Sequence, residues 1–200
     1  MHPAILLFEF DSIAIGIVAG DAMAKRAELV TLHAGSVQPG KYLVLAGGEV
    51  GHVEEARVAG RDRGKSALIG EIYLPEVHPE GVAALSGGRR PGSGAALGVV
   101  ETQTVAAVIG AADAGIKAAE VGILQIRLAD GLGGKGYVLF SGEVHNVQAA
   151  VDRGVASLES AELLVARVVI PQIHREMLDN LVSDAEFLDR VRSDESRARS

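Results

Sequence analysis

Six histidines, 26 acidic residues and no cysteine set the chemistry this chain can attempt. His2, His33, His52, His78, His145 and His174 are scattered along it. None forms an H-x-x-H, H-x-x-x-H or H-E-x-x-H pair, the spacings that set two imidazoles around a zinc ion. Without Cys there is no thiolate metal site, thiol nucleophile or disulfide. Gly134-Lys135 invites a phosphate-loop reading, but Gly136 stands where Ser or Thr is needed and Ala129 where the first Gly is needed. Gly92-Ser93-Gly94 and Gly98 lack dinucleotide spacing and follow no strand. No G-x-S-x-G elbow occurs. Glu54-Glu55 is a carboxylate pair, but adjacent helical residues point in different directions, so it reads as a solvated face. No catalytic constellation emerges, and an enzyme is not expected.

The composition narrows the class. The chain has 200 residues, 48% of them hydrophobic, 22% charged and 25 of them Gly. This much apolar content excludes an intrinsically disordered chain. A net charge of −7 argues against a basic nucleic-acid footprint. No apolar run reaches the roughly 20 residues of a membrane span. Met1-His2-Pro3 lacks the basic start of a signal peptide, so a cytoplasmic location is expected.

The elements that would position any site are written twice. Glu9-Phe10-Asp11-Ser12 begins a stretch that recurs from Glu101. Asp21, Ala22, Lys25, Ala27 and Glu28 fall on Asp113, Ala114, Lys117, Ala119 and Glu120. After two extra residues in the second copy, Gly40-Lys41 falls on Gly134-Lys135 and Gly48-Glu49-Val50 on Gly142-Glu143-Val144. Pro75 and His78 then fall on Pro171 and His174. The copies span residues 4–86 and 96–182, and the Gly/Arg/Ser-rich stretch 87–95 reads as a flexible linker. Residues 183–200 read as a charged tail.

Each copy has one plan. The apolar run from Ala4 to Phe10 is a buried strand. Ser12 or Asp11 caps a helix through about Ala27, with Ile13, Ile17 and Val18 as its apolar face. Leu29 to Leu32 and Tyr42 to Leu45 are short strands around a turn at Pro39-Gly40. Val50, Val53 and Ala56 mark a second helix. Leu68 to Leu74 is a fourth strand, and a short helix from about Pro79 to Leu85 closes the copy. The fold class is therefore α/β, of the α+β kind: β-α-β-β-α-β-α on an antiparallel sheet, twice over, each copy ferredoxin-like.

The helix motifs Asp21-Ala22-Met23-Ala24-Lys25 and Asp113-Ala114-Gly115-Ile116-Lys117, each followed by Gly-Glu-Val, resemble bacterial microcompartment (BMC) shell proteins of the tandem-domain trimer class. The resemblance runs from about Ala4 to Val182. Pro39-Gly40-Lys41 and Gly133-Gly134-Lys135 make it most like the unpermuted tandem proteins of propanediol-utilisation compartments. It implies a homotrimeric, pseudohexagonal tile that packs with other shell proteins into facets of a compartment shell. Encapsulated enzymes, and small metabolites crossing a central pore, are the further partners implied. Ser36, Val37, Gln38, Pro39, Asp130, Gly131, Leu132 and Gly133 would line that pore. Lys25 and Lys117 would lie on the tile edge, with His78 and His174 as further edge residues. Relatives of the propanediol type carry a Cys before the Pro-Gly-Lys turn, where three copies hold an iron–sulfur cluster. Gln38 stands there in this chain, so no cofactor is expected. The alternative is a small-molecule-binding regulatory protein on the same duplicated fold.

Overall fold

The computed structural model describes residues 4–181; the expected tail at 183–200 lies outside the described residues. The first copy comprises β1 (Ala4–Phe10), α1 (Ile13–Arg26), β2 (Thr31–Val37), β3 (Lys41–Gly48), α2 (Val50–Gly64), β4 (Leu68–Leu74) and α3 (Pro79–Leu85). The second repeats it as β5 (Ala96–Thr102), α4 (Val105–Ala118), β6 (Gly122–Leu128), β7 (Gly136–Gly142), α5 (Val144–Ala156), β8 (Leu164–Ile170) and α6 (Arg175–Leu181). The sheets are antiparallel, ordered β2-β3-β1-β4 and β6-β7-β5-β8. Both are the ferredoxin-like order that the sequence implies.

Strand β1 is buried along its whole length. Leu6, Phe8 and Phe10 pack with Ala19, Met23, Val53 and Ala56 from the domain's own helices. Ile5 and Leu7 point the other way and join Val105, Ile109 and Ala112 of the second domain. A strand covered on both faces needs no polar alternation, which is why Ala4 to Phe10 reads as one apolar run. The domains thus share a core: α4 lies across the first sheet, and α3 packs on α4 and β6.

The expected apolar face of α1 is not a core face. Ser12 does cap the helix, accepting the Ile15 N–H at 3.4 Å. The buried residues, however, are Gly16, Ala19, Gly20 and Met23. Ile13, Ile17 and Val18 are 41%, 51% and 49% exposed. Small residues sit inside because Tyr42 and Val44 crowd that side of the helix. In the second copy the positions of Ile13 and Ile17 are held by Val105 and Ile109, 0% and 2% exposed against the first domain.

The stretch read as a flexible linker is tied down. The Arg90 N–H donates to the Ile123 carbonyl at 3.0 Å, and the Gly92 N–H donates to Ser141 Oγ at 2.8 Å. These bonds satisfy donors beside the β6 end of the second sheet.

A carboxylate stands at the centre of the interdomain joint. Glu9 is fully buried. Its Oε1 accepts from Lys41 Nζ at 2.7 Å. Its Oε2 accepts from the backbone N–H of Val105 at 2.9 Å and of Ala106 at 3.4 Å. Those donors belong to the first turn of α4, where unpaired N–H groups and the helix dipole favour an anion.

The cores of the two domains are filled by exchanged side chains. Phe8, Met23 and Ala46 of the first domain correspond to Val100, Gly115 and Phe140 of the second, and all six positions are buried. The aromatic ring has moved from the first strand to the third, and the helix residue facing it has shrunk. A Cβ on Gly115 would lie 2.5 Å from Phe140 Cζ. Phe140→Ala alone should cost about 3–5 kcal/mol by leaving a cavity. Gly115→Met alone should also destabilise, by overpacking. The triple variant Val100→Phe/Gly115→Met/Phe140→Ala should recover most of the loss, and denaturant titration measures each step.

Candidate pore turns and domain edges

The two expected pore turns differ in length and lie side by side. Between β2 and β3 the turn is only Gln38, Pro39 and Gly40. It closes through a bond from the Gly40 N–H to the Val37 carbonyl at 2.9 Å, with Gly40 at φ +114°. Ser36 and Val37, read as turn residues, are instead the last residues of β2, paired with Tyr42 and Lys41. Ser36, Gln38 and Pro39 are exposed and Val37 is half-buried.

The second turn holds the two extra residues of the second copy. Ala129 pairs back to Lys135, its N–H donating to the Lys135 carbonyl at 2.9 Å. Asp130 to Gly134 then form a five-residue loop where the first copy has three. Gly131, Gly133 and Gly134 all adopt positive φ, which an L side chain resists. Asp130, Gly131 and Gly133 are exposed and Leu132 is half-buried. Gly134 is pressed on the first turn: a Cβ there would lie 2.8 Å from Pro39 Cδ and 3.0 Å from the Gln38 carbonyl oxygen. All the expected pore residues therefore belong to two touching loops or to the strand end beside them.

The edge candidates divide. Lys25 pairs with Asp21 at 2.6 Å, both side chains more than half exposed. Lys117 is more engaged: it bonds Asp113 Oδ2 at 2.6 Å and donates to the Glu76 carbonyl. Asp113 is itself buried, and its Oδ1 accepts the His78 N–H at 2.8 Å. This side chain ties α4 to the approach of α3. His78 caps α3, its Nδ1 accepting the Glu80 N–H at 3.3 Å. His174, its counterpart, is 73% exposed.

Glu9, Glu101 and Asp113 stand out in the sequence as matched positions of the repeat, but not as residues that join the domains. Their signal was present: a Glu inside an apolar strand, repeated together with a Lys that follows each Gly-rich turn. Glu101 Oε1 accepts from Lys135 Nζ at 2.7 Å, as Glu9 does from Lys41.

Electrostatic perturbation is concentrated away from the turns, on the outer side of α2 and β4. Arg57 is held above its ordinary pKa by its bond to Glu71, with burial opposing and Glu54 assisting. Its guanidinium lies 5.0 Å from the Tyr73 ring centre. The Tyr73 phenol is raised, by burial first and by Glu54 second. Among the described residues, no group of three or more His, Cys, Asp or Glu side chains converges as metal ligands. No described helix is long and apolar enough to cross a membrane.

Comparison with known proteins agrees with this architecture. The BMC domain family model matches residues 4–77 and again residues 96–173. The bacterial microcompartment shell protein PduT of Citrobacter freundii is 39% identical over 182 residues, 91% of this chain and 99% of that one. The shell protein EutM of Salmonella typhimurium is 35% identical over 82 residues, 41% of this chain and 83% of that one. Among solved structures, a microcompartment protein from Desulfitobacterium hafniense superposes with a TM-score of 0.77 at 38% identity, covering 88% of this chain and 98% of that one. A fused permuted hexameric shell protein of the RMM microcompartment shares the fold, with a TM-score of 0.54 at 20% identity, covering 79% of this chain and 82% of that one. With a family match on each copy and a full-length relative at this identity, the chain belongs to the BMC domain family, as a tandem member carrying two such domains.

Proposed function

We propose that the protein is a structural shell tile of a bacterial microcompartment, built from three chains around a central pore. The observation that carries this reading is the pairing of two BMC domains whose unequal turns lie side by side. Unequal copies cannot form a true sixfold ring. Three chains, alternating first and second domains, close a pseudohexagon instead. The exposed Ile13, Ile17 and Val18 face of α1 supports closure, because its counterpart on α4 is buried against a domain. The role is one of geometry, not bond-making: the tile walls off a lumen and meters what crosses it.

Gln38, Pro39 and the Asp130–Gly134 loop line the pore in this reading. Gln38 offers a neutral amide that both donates and accepts, so three copies favour small polar metabolites without strong charge selection. An iron–sulfur cluster does not fit, since the amide replaces the thiolate such a cluster needs. Lys25 and Lys117 lie at the edges where tiles meet other shell proteins, and encapsulated enzymes face the inner side.

Three measurements test this reading. Light scattering should give about three chains of 20.7 kDa, roughly 62 kDa, for a closed cyclic trimer. A stable monomer or dimer overturns the tile. Lys25→Glu with Lys117→Glu should leave that mass unchanged and abolish sheets in electron micrographs; unaltered sheets remove the edge assignment. In an assembled shell, Gln38→Gly should raise metabolite flux and Gln38→Trp should lower it. Equal flux in both variants means that Gln38 does not line the route.

A further inference from the structure

Strand β4 is an open edge of the first sheet, since it pairs only with β1. No further backbone bond joins Ile69, Gly70, Glu71 or Ile72 to another segment among the described residues. In an antiparallel edge strand, alternate residues turn their N–H and C=O outward, where they can template a further strand. Such edges are ordinarily guarded by a lysine, a proline or a bulge. Here the bulge lies at Ile69, near the start of the strand, and Pro75 lies past its end. The one charge between them, Glu71, is drawn off the edge, because its two oxygens accept from Arg57 Nε and Arg61 Nε of α2.

The second domain makes this edge one side of a slot. Residues 157–163 join α5 to β8, where residues 65–67 alone join α2 to β4. The longer connection lines, together with Ile69–Ile72, a cleft of about 280 Å³. Ala106, Ala107 and Gly110 of α4 line it too, with little bulk. Glu159 and Glu162 of the connection are exposed, and neither carboxylate has a partner among the described residues. A slot with a hydrogen-bonding edge on one side and two free carboxylates on the other fits a single extended chain rather than a second sheet.

We infer that this slot binds an extended, basic segment of a partner protein by strand addition to β4. The segment's backbone pairs with Ile69–Ile72, its small or β-branched residues face α4, and its lysines or arginines meet Glu159 and Glu162. Both walls belong to one chain, so the site does not depend on the trimeric reading.

A synthetic peptide of alternating Val and Lys, seven residues long and labelled with fluorescein, tests this on the full chain by anisotropy. It should bind, while a peptide of alternating Val and Glu should not. Hydrogen exchange should slow at the amides of Ile69–Ile72 when the Val/Lys peptide is added. Glu159→Lys with Glu162→Lys should weaken binding by at least about tenfold. Ala107→Gln, at a half-buried helical position, should block the slot. Thermal melts confirm that both variants fold. Two further peptides keep the charge and remove donors: one is N-methylated at every valine, the other at every lysine. Since an added strand bonds the edge through alternate residues, one of the two should bind at least about tenfold more weakly than the other. Equal binding by the two methylated peptides leaves charge attraction alone and overturns strand addition. So does a Val/Lys peptide that fails to bind, or one that leaves exchange at β4 unchanged. Binding unmoved by either variant overturns the slot as its place.

Discussion

A carboxylate sealed from water must have both oxygens met, and Glu9 is where that requirement binds two domains into one body. Its partners come from three places: its own strand's neighbour through Lys41, and two successive backbone groups at the start of α4. Loss of any partner would strand charge in a low-dielectric site, which costs several kcal/mol. The demand is geometrical as well as energetic. It fixes where α4 begins relative to β1, and so how the second domain sits on the face of the first sheet. Burial of Ile5 and Leu7, the docking of α3 and the meeting of the two turns all follow from that placement.

Much of the architecture could be read in the residues because local signals agreed with the global fold. Leu68 to Leu74 is β-rich and ends at a proline, and the strand has those limits. Pro79 sits at the first helical position after His78, and the helix begins there. The second strand was placed too early: Leu29 looked like its start, yet pairing runs from Thr31 to Val37. Neighbouring strands decide such boundaries, and sequence periodicity carries no information about them. The faces of α1 were unreadable for a deeper reason. Isoleucines ordinarily mark the inner side of a helix and glycines the outer. Here the close approach of Tyr42 and Val44 reverses them, and only tertiary contact reveals it. The two Gly-rich turns and the matched helix lysines were legible as motif and repeat. The contrast between buried Glu9 and half-open Glu101 was not, because the two are identical in type and differ only in what covers them.

The two domains also show how a duplicated core drifts without losing its shape. Most of the volume removed at Phe8 and Met23 in going to Val100 and Gly115 reappears at Ala46 in going to Phe140. Close-packed interiors tolerate such trades when total volume is nearly kept, and resist the single steps between them. The same backbone plan is therefore held by two different fillings. Charge on the fourth strand has reversed too: Glu71 on β4 is met by Arg57 on α2, while Arg167 at the matching position of β8 is met by Asp152, one position further along α5 than the counterpart of Arg57. The pairing survives while its sign reverses.

The unequal turns have an evolutionary consequence. In a ring of six identical chains, a mutation at the opening appears six times at once, so any change of bore is drastic. Fusing two copies into one gene halves that multiplicity. Gln38-Pro39-Gly40 can stay short and stiff while the Asp130–Gly134 loop lengthens, gains glycines or acquires a charge. In the proposed trimer, selection can then adjust the opening in smaller increments, changing one turn while the other keeps its shape.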